Sequence, residues 1–582
     1  MSSEWIRNAR AGEKRRCDEE LPRPDRPHQA RRLLHSQPEL DRPPSAVDFA
    51  ALQARVDAIE RQFCNRHTIR DENEPLMLTP SDHNIDDPNN GSSVSVLSTE
   101  THSLHTCSAF PVSAFLDISR FDTEAPSEKL CRPDIRVPES VLLALDQSSK
   151  VRSFSDEYFK TVHIWFRFIS AKKQFETPFT ENSQPDLVAL ALAMRLVTSS
   201  PDDNTSRELY GETKSYLCAL ESGGFVSLPT LQAMILATLY EYCHAVYPAA
   251  WMSIGACTRY IELLGVSWAT RDTAFQGSTD TILLGEPTLW FETDEEERRR
   301  SWWAVFILDR LMSVGSKRPC ALSRPQEDMK LPMHDDKWES RNYDKNWEFD
   351  YQIYPIIAAE LSGFSRLCEA ALFTDRALVL SRVEGILDQT HLENVICVSR
   401  KIQKWIDIID QESNSPSRPD LDLRLMGPRF AARSALFLCL KKLTFRVKIT
   451  PDGPQILDLQ NEVDSENHEA YKIQLCAARV VWQASLDVRN LAKAFSDQLF
   501  DGQNPIGNLG IISPFVLDAV YNASANLHRL SDHKDANQAY HSDILSLATF
   551  LDELSMRWRS AGEYRKLCEK HLGSTQGLLA EN

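Results

Sequence analysis

A chain of 582 residues with 65 Lys and Arg against 83 Asp and Glu carries a net charge of −18, and its 42% hydrophobic content excludes a wholly disordered polymer. No stretch approaches the ~18 consecutive apolar residues that a spanning helix needs; the best run, Leu187 to Leu196, is short and carries Arg195. Met1 to Arg10 holds Arg7 and Arg10 with no apolar core behind them, so no secretory signal and no membrane association are expected, and the chain is read as soluble in a reducing compartment.

The thirteen cysteines run from Cys17 to Cys568 with no two within four residues of each other, which argues against a zinc site built from local cysteine pairs. They are read as buried free thiols that pack as small apolar residues.

Residues 1–44 hold ten Lys and Arg against eight Asp and Glu, a local charge of +2 that leaves −20 for the remainder. The basic clusters Lys14-Arg15-Arg16 and Arg31-Arg32 suit nuclear import or phosphate contact, and equally a solvated, Pro-rich disordered tail. Over residues 45–66 the spacing changes. Phe49, Leu52, Val56, Ile59 and Phe63 follow each other by 3, 4, 3 and 4, the seam of a coiled coil. A seam of about two heptads is too short to stand alone, so it needs a partner chain for dimerisation or a docking surface on the main body. Residues 67–137 read as an acidic, Ser-rich disordered linker, with no Lys or Arg between Arg70 and Arg120 and with Leu76, Met77 and Leu78 set among acids.

From residue 138 to residue 575 the apolar spacing is helical, with a short tail at 576–582. Phe154, Tyr158, Val162 and Trp165 or Phe166 form one stripe, and Ile544, Leu547, Leu551, Leu554 and Trp558 another. Ser227 followed by Pro229 marks a helix start, where a missing N–H costs nothing. Strand-like alternation is nearly absent, so the fold class is all-α: a large multi-helix body. The segments 413–419 and 451–469 are expected to be surface loops within it.

Phosphate-cradling glycine loops, H-E-x-x-H and G-x-S-x-G are all absent, so no enzyme signature and no catalytic residue is assigned. His163 is read as a hydrogen-bonded core or edge histidine. One segment stands out, FETDEEERRRSWWAVFILDRLMSVGSKRPCAL over residues 291–322. Thr293 ahead of Asp294, Glu295 and Glu296 reads as an N-cap with first-turn acids. Trp303, Ile307 and Leu311 share one face, while Trp302, Phe306 and Asp309 share the adjoining one, so the helix is nearly surrounded by protein. Asp309 buried alone would be costly, so Arg299, Arg300, Arg310 or a backbone N–H should pair with it. Gly315 is expected to end the helix, and Arg318-Pro319 to begin an extended exit.

The run Arg299, Arg300, Ser301, Trp302, Trp303, Phe306, Asp309, Arg310, Gly315, Arg318 and Pro319 resembles the signature stretch of the fungal-specific transcription factor domain, the regulatory middle homology region of zinc-cluster transcription factors. Further pieces follow in the family's order. Tyr158-Phe159, Val162-His163, Phe166 and Phe175 resemble its opening helix, and Leu231-Gln232-Ala233 to Tyr240-Glu241 its central one. Trp251, Gly255, Arg259 and Leu264-Gly265 are similar to the helix that follows, Leu331-Pro332 with Asp335, Asp336 and Trp338 to the segment after the signature, and Arg557-Trp558 to Ala561 and Tyr564 to a C-terminal helix. The likeness is good over residues 150–340 and looser beyond.

The resemblance implies a nuclear, pathway-specific transcription regulator, such as one serving a metabolite biosynthetic gene cluster, that works as a homodimer or heterodimer with promoter DNA and the transcription machinery. It implies an N-terminal binuclear zinc cluster as well. On the stretch Lys14 to Pro22 that alignment keeps only Cys17 and sets Arg7, Arg10, Arg23 and Arg26 where cysteines would stand. Arginine cannot ligate zinc, so no zinc and no other cofactor is expected, and direct DNA binding should be weak or depend on a partner. A small-molecule effector of the helical body is supported by no residue in the sequence. The alternatives are a helical small-molecule-binding or enzymatic protein that shares the fold, and a coregulator that does not bind DNA.

Overall fold

The computed structural model of the chain describes residues 135–145, 151–171, 175, 179–201, 204–264, 292–315, 318–325, 329–340, 361–383, 388–413, 421–444, 448–450, 453–455, 465–500, 509–530 and 534–580, all within one unit that spans residues 102–582. The expected tail (1–44), coiled-coil seam (45–66) and nearly all of the linker (67–137) lie outside the described residues.

The body opens with α1 (Glu139–Leu145), α2 (Val151–Lys160) and α3 (Val162–Trp165). Two core helices follow, α4 (Pro185–Thr198) and α6 (Leu228–Cys243), with α5 (Asn204–Ser222) between them and α7 (Ala249–Leu263) after. Apolar residues occur all round α4 and α6, so neither has a solvent face to spare, and the two pack on each other at the centre of this half. The start of α6 is as expected: the Ser227 side chain accepts from the Thr230 N–H, with Pro229 in the first turn. The signature helix α8 (Glu292–Val314) lies against α6, α7 and the next long helix.

After α9 (Asp335–Ser340) come α10 (Gly363–Arg382), α11 (Gln389–Ser413) and α12 (Leu421–Leu440). The α10–α12 pair is the most extensive contact in the body. Gly363 permits it, because a Cβ there would stand 2.9 Å from Arg424 Cβ and from its carbonyl oxygen. Arg366 of α10 pairs with Glu369 on its own helix and bridges to α11 through Glu412, and Arg429 and Arg433 of α12 share Asp410 of α11. The chain closes with α13 (Ser465–Phe500), α14 (Leu517–Leu530), α15 (Lys534–Ser555) and α16 (Arg559–Ala580). The C-terminal stripe is as expected: Ile544, Leu547, Leu551, Leu554 and Trp558 are all buried.

The all-α class holds, with small amendments. Lys448–Thr450 (β1) pairs antiparallel with Gly453–Gln455 (β2), and α13 begins at Ser465, so the expected loop over 451–469 contains a strand and a helix start. The last helix continues to Ala580, past the boundary set at 575. Of the nine described cysteines, Cys243, Cys257, Cys368, Cys439 and Cys568 are buried, whereas Cys218, Cys397 and Cys476 are exposed, so the buried-thiol reading fits only part of them. Among the described residues no helix is long and apolar enough to cross a membrane.

Candidate functional site

The signature residues gather into a buried ionic lattice around α8. Arg300, fully buried, donates from Nε to Glu296 Oε1 at 2.9 Å and from Nη1 to Asp335 Oδ1 at 2.9 Å. It also donates to two carbonyls, Arg167 O at 2.8 Å and Met333 O at 2.7 Å, and its guanidinium lies 4.0 Å from the centre of the Trp338 ring. Burial works against charge on Arg300, but Asp335 and Glu296 outweigh it and hold the guanidinium above its ordinary range. Asp335 is held below its own, because Arg300 and Arg167 overcome the cost of burying it.

One turn before the end of α8 the motif repeats with different partners. Asp309 accepts from Arg310 Nη1 at 2.5 Å and from the Ala321 and Leu322 N–H groups at 3.0 Å each. Of the three arginines open as partners, Arg310 takes the role, while Arg299 pairs with Glu296 and Arg300 is spent elsewhere. Burial nonetheless leaves the Asp309 carboxyl above its ordinary range. Arg310 also reaches Asp375 Oδ1 at 2.9 Å and Leu322 O at 2.8 Å, with its guanidinium 4.2 Å from the Phe306 ring centre. Trp302 stacks on Phe306, and Trp303 donates to Lys330 O at 3.1 Å.

These bonds have a common effect. Among the described residues between α8 and α9 none is helical, and side chains of α8 bond that backbone instead, at Ala321, Leu322, Lys330 and Met333. The lattice is structural: every charge in it is matched inside the protein. One expectation needs correction and another holds. The helix starts at Glu292, so Thr293 sits in the first turn rather than at the cap, a one-residue difference at a helix end. The helix ends at Val314, immediately before Gly315, as expected. Arg318 lies 5.3 Å from the Trp251 ring centre, and Pro319 is exposed.

His163 is buried as expected, with Nε2 3.1 Å from Glu339 Oε1, and burial lowers its pKa. A second histidine was not singled out by the sequence. His244, at the end of α6, is buried with neither ring nitrogen hydrogen-bonded, its ring centre 4.3 Å from that of Tyr240. Burial, helped by Arg557 and Arg559, pushes its pKa down from 6.5 to about 3. The unfolded chain binds a proton below about 6.5 that the folded chain refuses, so this contribution to stability is full above that pH and lost as the pH falls toward 3. We expect His244→Phe to remove a slope of up to about 1.4 kcal/mol per pH unit across that window in urea titrations. Parallel curves for the two proteins would contradict it.

The C-terminal end of α8 also walls a cavity of about 1080 Å³, whose other walls come from the turn after α6, from α7, α12, α14 and α16. Tyr242, Tyr247, Trp251, Phe437, Tyr521 and Tyr564 supply aromatic faces. Ala245, at the turn, has φ 55°, an uncommon conformation for a residue with a Cβ, and it swings the chain so that Tyr247 and Trp251 follow onto the cavity. Among the described residues no group of three or more His, Cys, Asp or Glu is placed to hold a metal. The import residues Lys14, Arg15, Arg16, Arg31 and Arg32 and the seam residues Phe49, Leu52, Val56, Ile59 and Phe63 lie outside the described residues.

Residues 156–412, from α2 to the end of α11, match the model of the fungal specific transcription factor domain. The chain is 29% identical over 174 residues to the transcription factor BOA15 of Botryotinia fuckeliana, a match covering 28% of this chain and 90% of that one. It is 24% identical over 392 residues to the pigment biosynthesis transcriptional activator pigB of Monascus ruber, covering 61% and 68% of the two chains. It is 22% identical over 453 residues to the citrinin biosynthesis transcriptional activator mrl3 of the same organism, covering 74% and 84%. No solved structure matches the chain. The signature helix resemblance and the domain match thus meet on the same lattice, and the chain is similar to fungal transcription regulators over most of its helical body.

Proposed function

We propose that the chain is a nuclear, pathway-specific transcription regulator of a biosynthetic gene set, that it is not an enzyme, and that its helical body is the working part. The observation that carries this is the domain match over residues 156–412, joined to relatives whose names place them as activators of pigment and citrinin biosynthesis. The buried lattice supports it too, since its charges are consumed in holding the body together and none is presented to a reacting group.

Direct contact with DNA falls to residues 1–44, where Lys14, Arg15, Arg16, Arg31 and Arg32 supply the positive charge and Cys17 is the only cysteine. That donor set does not fit a zinc cluster, so we propose weak, partner-assisted DNA binding, with Phe49, Leu52, Val56, Ile59 and Phe63 as the dimer seam. The −20 of the remainder repels phosphate and also suits a coregulator that reaches promoters through another protein. Gel shifts with the purified full chain test the grip. Binding that collapses between about 50 and 200 mM salt is expected of a few phosphate contacts, whereas salt-resistant, sequence-specific binding would contradict the reading. Deleting residues 1–44 separates the two modes, because a coregulator keeps its genomic occupancy and a direct binder loses it.

A further inference from the structure

The cavity at the end of α8 is lined by aromatic and polar groups together. Tyr242, Tyr247, Trp251 and Tyr564 supply ring faces, with Tyr247 and Trp251 51% and 40% exposed. Among them Ser434, Asp518 and Ser560 are buried and Asn522 is half-buried. Asn522 Nδ2 donates to Asp518 Oδ2 at 2.9 Å, and the Ser434 hydroxyl lies beside the same carboxyl. Ser560, only 7% exposed, has an Oγ with no hydrogen-bond partner. A buried hydroxyl left without a partner is costly, and one that lines an empty space is ready for a partner that enters it.

We propose that this cavity binds a flat, conjugated ring compound that bears hydroxyl or carbonyl oxygens, and that its occupancy is the input of the regulator. Ring faces stack on the aromatic side chains, where each well-placed aromatic pair adds about 0.5–1.5 kcal/mol beyond area burial. The ligand's oxygens meet Ser560, Asn522 and Asp518. Burial raises the pKa of Asp518 despite the lowering pull of Ser434, Asn522 and Lys441. Of the cations at the rim, Arg529 is turned to Thr444, donating to its carbonyl at 3.2 Å and its hydroxyl at 2.8 Å, and Arg318 lies over Trp251. The site therefore suits a neutral ring compound. Because α8, α12, α14 and α16 all contribute walls, a bound molecule ties the signature helix to the C-terminal helices and stabilises that arrangement by linkage.

The claim about input rests on the regulator reading above; the claim about binding does not. Titration calorimetry of the purified full chain with emodin, a tricyclic hydroxylated quinone, tests it, with cholate as a saturated compound of similar bulk. Gly315→Phe places a ring on the cavity wall at a position where a Cβ meets nothing within 4 Å and the backbone is not left-handed. Trp251→Ala, at a half-exposed side chain, removes a stacking face without opening the core. Emodin should bind one per chain and better than cholate, raise the melting temperature of the parent, and lose about tenfold or more in affinity in each variant. Absence of emodin binding, or equal affinity in parent and variants, overturns the proposal and leaves the regulator reading intact, because that one is decided on transcripts.

Discussion

Arg300→Ala should lower the unfolding free energy by about 3–5 kcal/mol, the range for breaking a buried ion pair by removing one partner. The size follows from what is left behind. Glu296 is 2% exposed and Asp335 3%, so Asp335 would remain in the interior without its main counter-charge and Glu296 would keep Arg299 alone. The carbonyls of Arg167 and Met333 would lose their donors, and Trp338 the cation over its face. Arg300→Lys should recover little, since an ammonium cannot spread donors over Glu296, Asp335 and two carbonyls at once. A shift of the urea midpoint measures the effect, and a loss below about 1 kcal/mol, the level of an exposed ion pair, would show that the lattice is not the support described above.

The second large effect is expected far from the signature. Trp558→Ala should cost about 3–5 kcal/mol, as for deletion of a fully buried aromatic. Trp558 is 0% exposed, donates to Ile512 O at 3.2 Å, and meets Trp165 edge-on with ring centres 6.2 Å apart. Its neighbour Arg557 donates to Val197 O at 2.6 Å and Ser199 O at 2.7 Å, satisfying carbonyls at the C-terminal end of α4. The turn between α15 and α16 therefore fastens the C-terminal helices to the opening ones, and Arg557 and Trp558 both lie beyond residue 412, where the domain match ends. Limited proteolysis of the variant should yield cuts in both α4 and α16. Cuts confined to α16 would mean that the two ends are not joined there.

How far the sequence led depended on whether the partners of a residue are near it in the chain. The two faces of α8, the Ser227 start of α6 and the stripe from Ile544 to Trp558 are local periodic patterns, and each is found where periodicity placed it. The Arg300 environment was not read: the sequence offered Arg300 as a partner for Asp309, although its Glu296 partner lies only one turn before it. Asp335 and the carbonyl of Arg167 lie 35 and 133 residues away, and only the folded chain brings them together. The hairpin was missed because three-residue strands are too short to show alternation, so Pro451-Asp452-Gly453 read as a plain loop. The cavity had no signal at all. Its walls come from Tyr242 to Leu567, and each residue taken singly looks like an ordinary helical core or rim position. Ala245 is a local oddity at its wall, and its positive φ is invisible in the sequence.

The central claim is that this chain governs transcription of a defined gene set through its helical body. Transcript profiling of a fungal strain that lacks the chain, and of the same strain given back the parent or Arg300→Ala, tests it most directly. Loss of transcripts from one biosynthetic gene set, restored by the parent and not by Arg300→Ala, is the predicted result. An unchanged transcriptome, or full restoration by an Arg300→Ala protein shown to be unfolded, would contradict it.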